Sequence, residues 1–443
     1  MVRRRALGTA LLASFASLAS FAGCSNVLGL KDLELDPESA ADGAAGDDGS
    51  REAGTDDGGT DAPPGDGHVD GPANDGTIGD ALTDRTVGDT NMSDTSMADT
   101  SMPDSSIGCE GGQTTCNSAC VDTTSNPLHC GGCNHDCLGG SCTGSVCQAV
   151  RVASGQAAPW DLVVDGASLY FTNGNGGTVM KCATSGCGTA PTTLASAQVS
   201  PERITFDATY VYWTDYGNGG ANGAVRRVKK DATGLLTLAS AQTQPEGIAV
   251  DASFVYWATR PTSGAIHNVP LGGGSTTNTT AHTSPTAVSW DGAALFFGDE
   301  GGALTRCTPA AGACASTTPL FAGTGGIFGV GVDSTRVYFT TLAANGNVYS
   351  ATKSNGSNLQ TLAGAQAWPV RLATDGVDVV WTTRGVSQGV SADGSVMRCA
   401  VGGCAGNPVT VASSLGDPHG VAIDAAAIYW ANTNDGSIWK VAR

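Results

Sequence analysis

The sequence predicts an all-β chain whose main domain is a seven-bladed β-propeller, six or eight blades being the alternatives. Three observations carry this. An aspartate after a short apolar run recurs as Asp165, Asp207, Asp251, Asp291, Asp333, Asp375 and Asp424, at intervals of 42, 44, 40, 42, 42 and 49 residues, which is the period of propeller blades. Each unit holds four short runs, such as GIAVD, VYW, GAIHNV and LTLASAQ, rich in β-branched and aromatic residues and separated by Gly, Asn, Asp or Ser; these read as strands. The last unit stops at GSIWKVAR, its third run, whereas AVRVASGQ at 149–156, ahead of the first unit, matches the fourth. Pairing that leading run into the last unit closes a ring and leaves no long strand edge open.

The elements follow in chain order. Residues 1–23 read as an export signal, with Arg3, Arg4 and Arg5 ahead of an apolar, small-residue run that ends in FAGC at 21–24. That ending resembles a bacterial lipobox, with Phe21 where Leu is usual. The resemblance implies a lipid anchor on Cys24 and makes 24–35 the lipidated N-terminus. The run is too short and too weakly apolar for a spanning helix, which needs about 20 apolar residues. Ser25 does not resemble the Asp that retains lipoproteins at an inner membrane. The expectation is therefore a cell-envelope protein of the outer membrane; a secreted or periplasmic protein is the alternative.

Residues 36–108 read as an acidic linker of Asp, Gly, Thr and Ser. Within 36–107 stand 18 Asp and Glu, two Arg (Arg51 and Arg85) and no aromatic residue, so the stretch cannot bury enough apolar surface to order itself and is expected to be disordered. As a flexible coil its ends would lie about 45–50 Å apart. It carries most of the net charge of −19, since residues 109–443 hold 21 acids and 16 bases. That balance lacks the basic face nucleic acid requires. The recurring Asp match no calcium-loop spacing.

Of 15 cysteines, Cys24 stands alone, eight fall in a Cys-rich module at 109–148, and six lie in the propeller at 149–443. Even counts outside the cytoplasm read as disulfides. Cys109, Cys116, Cys120, Cys130, Cys133, Cys137, Cys142 and Cys147 allow 105 connectivities. Zinc, with CGGC, His129 and His135, is the rival reading. The pattern C…CVD…NPxxCGxC…C resembles the small knots of myxobacterial-type surface lipoproteins. In the propeller, Cys182 with Cys187, Cys307 with Cys314, and Cys399 with Cys404 each follow a third strand, where a bridge would pin a hairpin.

YVYWTD at 210–215, with LYFTN, VYWAT, LFFGD, VYFTT, VVWTT and IYWAN as variants, resembles the tetrad of the YWTD propellers. The preceding P-x-G-I-A-V-D pattern is similar to those propellers and to the NHL type. The resemblance covers residues 150–443 and implies a propeller, although YWTD propellers have six blades and seven units are counted here. Trp213, Trp257, Trp381 and Trp430 are expected to pack between sheets, with stacking on a sugar as the other use.

The residues after the aligned Pro are expected at one mouth of the central channel: Trp160, Glu202, Glu246, Thr286, Phe328, Val370 and His419, with Asp161, Arg203 and Arg371 one place on. Of these, Trp160, Glu202, Arg203, Glu246, Arg371 and His419 form the candidate binding group, able to hold a cation or a polar ligand. Streptogramin-lyase-like propellers carry a similar His and Glu group with a metal; this resemblance implies metal-dependent lyase or lactonase chemistry through Glu202, Glu246 and His419. No Ser/His/Asp nucleophile pattern or metal signature stands out. The leading expectation is a monomeric recognition scaffold for a protein or glycan partner, with a divalent cation as the one cofactor candidate.

Overall fold

The computed structural model describes residues 108–443. The expected export signal, the expected lipid site at Cys24 and the expected acidic linker up to residue 107 lie outside the described residues.

Seven four-stranded antiparallel sheets follow one another along the chain. Blade one comprises Pro159–Asp165, Ser168–Asn173, Thr178–Ala183 and Thr192–Ala195, the first of these innermost. Blades two to seven begin with inner strands Pro201–Phe206, Pro245–Val250, Pro285–Trp290, Val330–Val332, Pro369–Thr374 and Pro418–Ile423. Successive inner strands pack on one another, and that of blade seven packs on that of blade one. The ring closes as the repeat predicts: Val150–Ala153 pairs with Ser437–Ala442, setting Ala153 opposite Ile438 and Arg151 opposite Trp439.

The repeated residues make repeated bonds. In blades two to seven the aligned aspartate turns the chain between inner and second strands, its Oδ1 accepting two backbone N–H bonds of 2.6–3.0 Å, as Asp207 does from Thr209 and Tyr210. Its second oxygen accepts the tetrad tyrosine hydroxyl in four blades: Tyr212 on Asp207 at 2.6 Å, Tyr256 on Asp251 at 2.8 Å, Tyr338 on Asp333 at 2.7 Å and Tyr429 on Asp424 at 3.1 Å. In blades four and six, and in blade one, a cation from the following blade takes that place: Lys353 on Asp291 at 2.7 Å, Arg443 on Asp375, and Lys230 on Asp165 at 2.6 Å.

Trp213, Trp257, Trp381 and Trp430 are all buried in the packing between blades, which leaves no ring face for a sugar. The Trp257 indole donates to Gln242 and the Trp381 indole to Gln366, each at 3.1 Å, across the blade boundary. The tetrad threonine ties neighbouring inner strands: Thr172 donates to the Glu202 carbonyl at 2.7 Å and Thr382 to that of His419 at 2.7 Å. Gly247 and Gly420 keep the inner strands close, because a Cβ there would stand 2.6 Å from the Val288 nitrogen and 2.7 Å from the Asp161 Cα.

The Cys-rich segment is bridged 109–120, 116–133, 130–142 and 137–147. The sulfurs that a zinc ion would need are thus consumed, including the close group Cys130, Cys137 and Cys147. The segment shares a compact unit with the propeller, and Cys130, Cys137, Cys142 and Cys147 join one core cluster with Trp430, Val441 and Val396 of blades six and seven. The propeller bridges are Cys182–Cys187, Cys307–Cys314 and Cys399–Cys404, each beginning in a third strand.

Candidate functional site

Because six of the seven inner strands start at a proline, with Ile327 at the aligned position of blade five, the residues one and two places on gather at one end of the channel. The expected group is there, but under cover: Glu202 and Glu246 are each 3% exposed, His419 2% and Arg371 6%, while Trp160 is half-buried. Exposure along the inner strands rises toward their other ends, at Phe206, Ser289, Thr374 and Ile423. The cover at the proline end is Arg260, Glu300 and Arg384, the first residues after the second strands of blades three, four and six, with Asp417 just ahead of Pro418. The repeat alignment followed the strands and passed over these loop positions; the signal was a charge directly after the tetrad in VYWATR, FFGDE and VWTTR.

Charges in this layer bind one another. Arg260 donates to Glu246 at 3.2 Å and to Glu300, and its guanidinium lies 5.5 Å from the Phe328 ring centre. Arg384 donates to both oxygens of Asp417, at 2.6 Å to Oδ1 and 3.3 Å to Oδ2, and that same Oδ2 stands 3.4 Å from His419 Nε2. The His419 ring packs on Trp160 with centres 4.1 Å apart.

The next layer lines a cavity of about 320 Å³ in the channel. Arg203 from blade two and Arg371 from blade six reach the same acceptor, the Phe328 carbonyl, each at 3.0 Å. Asp161 accepts from the Leu162 and Ile204 amides at 3.0 and 3.4 Å. Leu162, Ile204, Ile248, Ala287 and Val421 supply apolar wall.

Burial dominates the electrostatics. It pushes Asp161 up to about 6 against the pull of Arg203. It raises Glu202 well above the usual carboxylate range, with Glu246 adding to the effect, and raises Glu246 despite Arg260 and Arg203. It lowers Arg203 against the attraction of Asp161 and Glu246. On Arg260 burial is outweighed by Glu246 and Glu300, which hold the guanidinium charged. On Asp417 burial is likewise outweighed, by His419 and Arg384, and the carboxylate is held down at about 2.

Glu202, Glu246 and His419 do not fit a metal. A shared ion needs their ligand atoms on one point, yet among the described residues no three His, Asp or Glu ligand atoms gather within 4.8 Å, and Glu246 is committed to Arg260.

No family model and no curated protein sequence matches the chain. Among solved structures, it is similar to a streptogramin B lyase, at 13% identity and TM-score 0.54, covering 66% of this chain and 97% of the lyase. It is also similar to virginiamycin B lyase from Staphylococcus aureus, at 16% identity and TM-score 0.52, covering 67% and 98%. A catalytically inactive histidine-to-alanine variant of that enzyme, solved with quinupristin, gives 18% and 0.53 over the same shares. Likeness at such identities establishes a common seven-bladed propeller and nothing about activity.

Proposed function

We propose that this chain is a cell-envelope lipoprotein, anchored through Cys24 in the outer membrane, which uses its acidic linker to hold a β-propeller away from the surface as a recognition scaffold. The observation that carries the non-enzymatic half is the commitment of the channel-end charges to one another: Arg260 to Glu246 and Glu300, Arg384 to Asp417. A carboxylate held by a buried guanidinium is a poor general base and a poor metal ligand. The alternative is a metal-dependent lyase or lactonase of the streptogramin-lyase type. The fold likeness favours it, and it requires Glu202, Glu246 and His419 to act together.

Incubation of the full chain with quinupristin, with and without added Mg²⁺, separates the two. The scaffold reading expects no ring opening under either condition, and turnover that disappears in His419→Ala would overturn it. The anchor is read separately: detergent-phase partition of the expressed protein should be lost in Cys24→Ala, and a variant that still partitions would remove the lipid tether.

A further inference from the structure

We infer that the propeller channel binds a small monocarboxylate with an apolar body, its carboxylate head received by Arg203 and Arg371. This deepens the recognition reading above by naming what one site of the scaffold takes.

At the second position after the proline, the seven blades present Asp161, Arg203, Gly247, Ala287, Gly329, Arg371 and Gly420. Four of the seven are Gly or Ala, and at Gly247, Gly329 and Gly420 a side chain would strike the neighbouring strand; Arg203 and Arg371 are the two long side chains at this level. Both line the 320 Å³ cavity and both residues are more than nine-tenths buried. Each places an Nη on the Phe328 carbonyl; Arg203 also stands 3.9 Å from the Glu246 carboxylate, whereas Arg371 makes no ion pair among the described residues. The Nε–H of each is buried without a protein acceptor. Donors of this kind demand an acceptor, and a planar carboxylate matches the guanidinium fork in two bonds.

The rest of the lining narrows the ligand. With Arg203 facing Glu246 at 3.9 Å and Asp161 in the lining, Arg371 is the guanidinium left without an ion pair among the described residues, which leaves room for one negative charge, not two. Leu162, Ile204, Ile248, Ala287 and Val421 continue the cavity along the inner strands toward their more exposed ends, so whatever carries the charge must be apolar behind it. Inorganic phosphate satisfies the arginines but not this wall. The volume of about 320 Å³ equals that of about ten waters at roughly 30 Å³ each, room for a ligand the size of benzoate or hexanoate.

The test uses the full chain with its disulfides intact. Calorimetry and saturation-transfer NMR are run with benzoate and hexanoate, with benzamide and inorganic phosphate as the neutral and the non-apolar controls. Both carboxylates should bind, benzamide should not, and phosphate should bind more weakly than benzoate. Arg371→Gln should weaken binding roughly tenfold or more, the scale of a lost charge-assisted bond. Asp161→Asn should tighten it several-fold, a gain that misfolding cannot produce. Absence of binding to the wild type and to Asp161→Asn overturns the inference, as does phosphate binding as tightly as benzoate, or affinity unmoved in Arg371→Gln. If quinupristin is opened while benzoate still binds, the scaffold reading fails and this one stands; if neither carboxylate binds and no ring opens, the reverse holds.

Discussion

Glu202 and Asp207 sit five residues apart on one inner strand and its turn, and their carboxyl groups are shifted in opposite directions. Glu202, enclosed in the channel end, has its carboxyl raised by burial and by Glu246. For Asp207, Asp291, Asp333 and Asp375 burial also acts upward, but hydrogen bonds, including that from the Tyr212 hydroxyl on Asp207, outweigh it and leave the pKa lowered. A lowered pKa contributes stability that is present above the unfolded value near 4 and is lost as pH falls through it. A raised carboxyl does the reverse: the native state holds a proton the unfolded chain has released, so stability declines as pH rises past about 4.3. Melting temperature should therefore peak on the acid side of neutrality. Glu202→Gln should flatten the alkaline limb and stabilise the protein at pH 8 by about 1 kcal/mol or more, the scale of relieving a poorly compensated buried group. Melts of both proteins from pH 3 to 9 decide it, and parallel alkaline limbs would show that Glu202 is not held protonated.

At the scale of the element, the blade boundary is latched by a residue three places before the proline. Gln156, Gln198, Gln242 and Gln366 stand there, and each donates its amide to the carbonyl two residues back. Gln242 and Gln366 also accept the indole of the next blade. Between blades six and seven the position is Leu415, and the Trp430 indole is left buried without a partner. Leu415→Gln should restore the bond and stabilise the protein by about 0.5–1.5 kcal/mol, whereas Gln366→Leu should cost a similar amount; paired thermal or urea melts measure both. The repeat made the strands legible because strand period and turn residues are local properties of the chain. The partners of these repeats were not legible. That Lys230, Lys353 and Arg443 serve aspartates of the preceding blade depends on how far the sheets are rotated about the channel, which no spacing within a blade encodes. The same holds for the site: alignment brought Glu202, Glu246 and His419 to one end, but the residues that seal that end, Arg260 and Arg384, lie in loops where the repeat breaks off.

For the molecule as a whole, ring closure depends on Val150–Ala153, whose Val152 and Ala153 are fully buried. Removing residues 149–156 deletes the outer strand of blade seven and uncovers Ser437–Ala442 as a bare edge. The loss should exceed about 3 kcal/mol, from the burial of Val152 and its ladder bonds. A shortened chain melting like the intact one would refute the clasp. The four-bridge segment ends two residues before this strand and packs on blades six and seven, so reduction of its disulfides should lower the melting temperature of the propeller as well; an unchanged melt after selective reduction would make the segment a passive neighbour.

The clasp has a further meaning for biogenesis. Its two halves are separated by nearly the entire propeller, so a nascent or proteolysed chain that stops short of residue 437 offers its leading strand nothing to join, however well the intervening blades have formed. Such a product keeps a gap in the circle and exposes hydrogen-bonding groups at both lips. A chain cut short of residue 437 should therefore be cleaved by added protease faster than the intact one, because the strand pair that joins the two ends is missing.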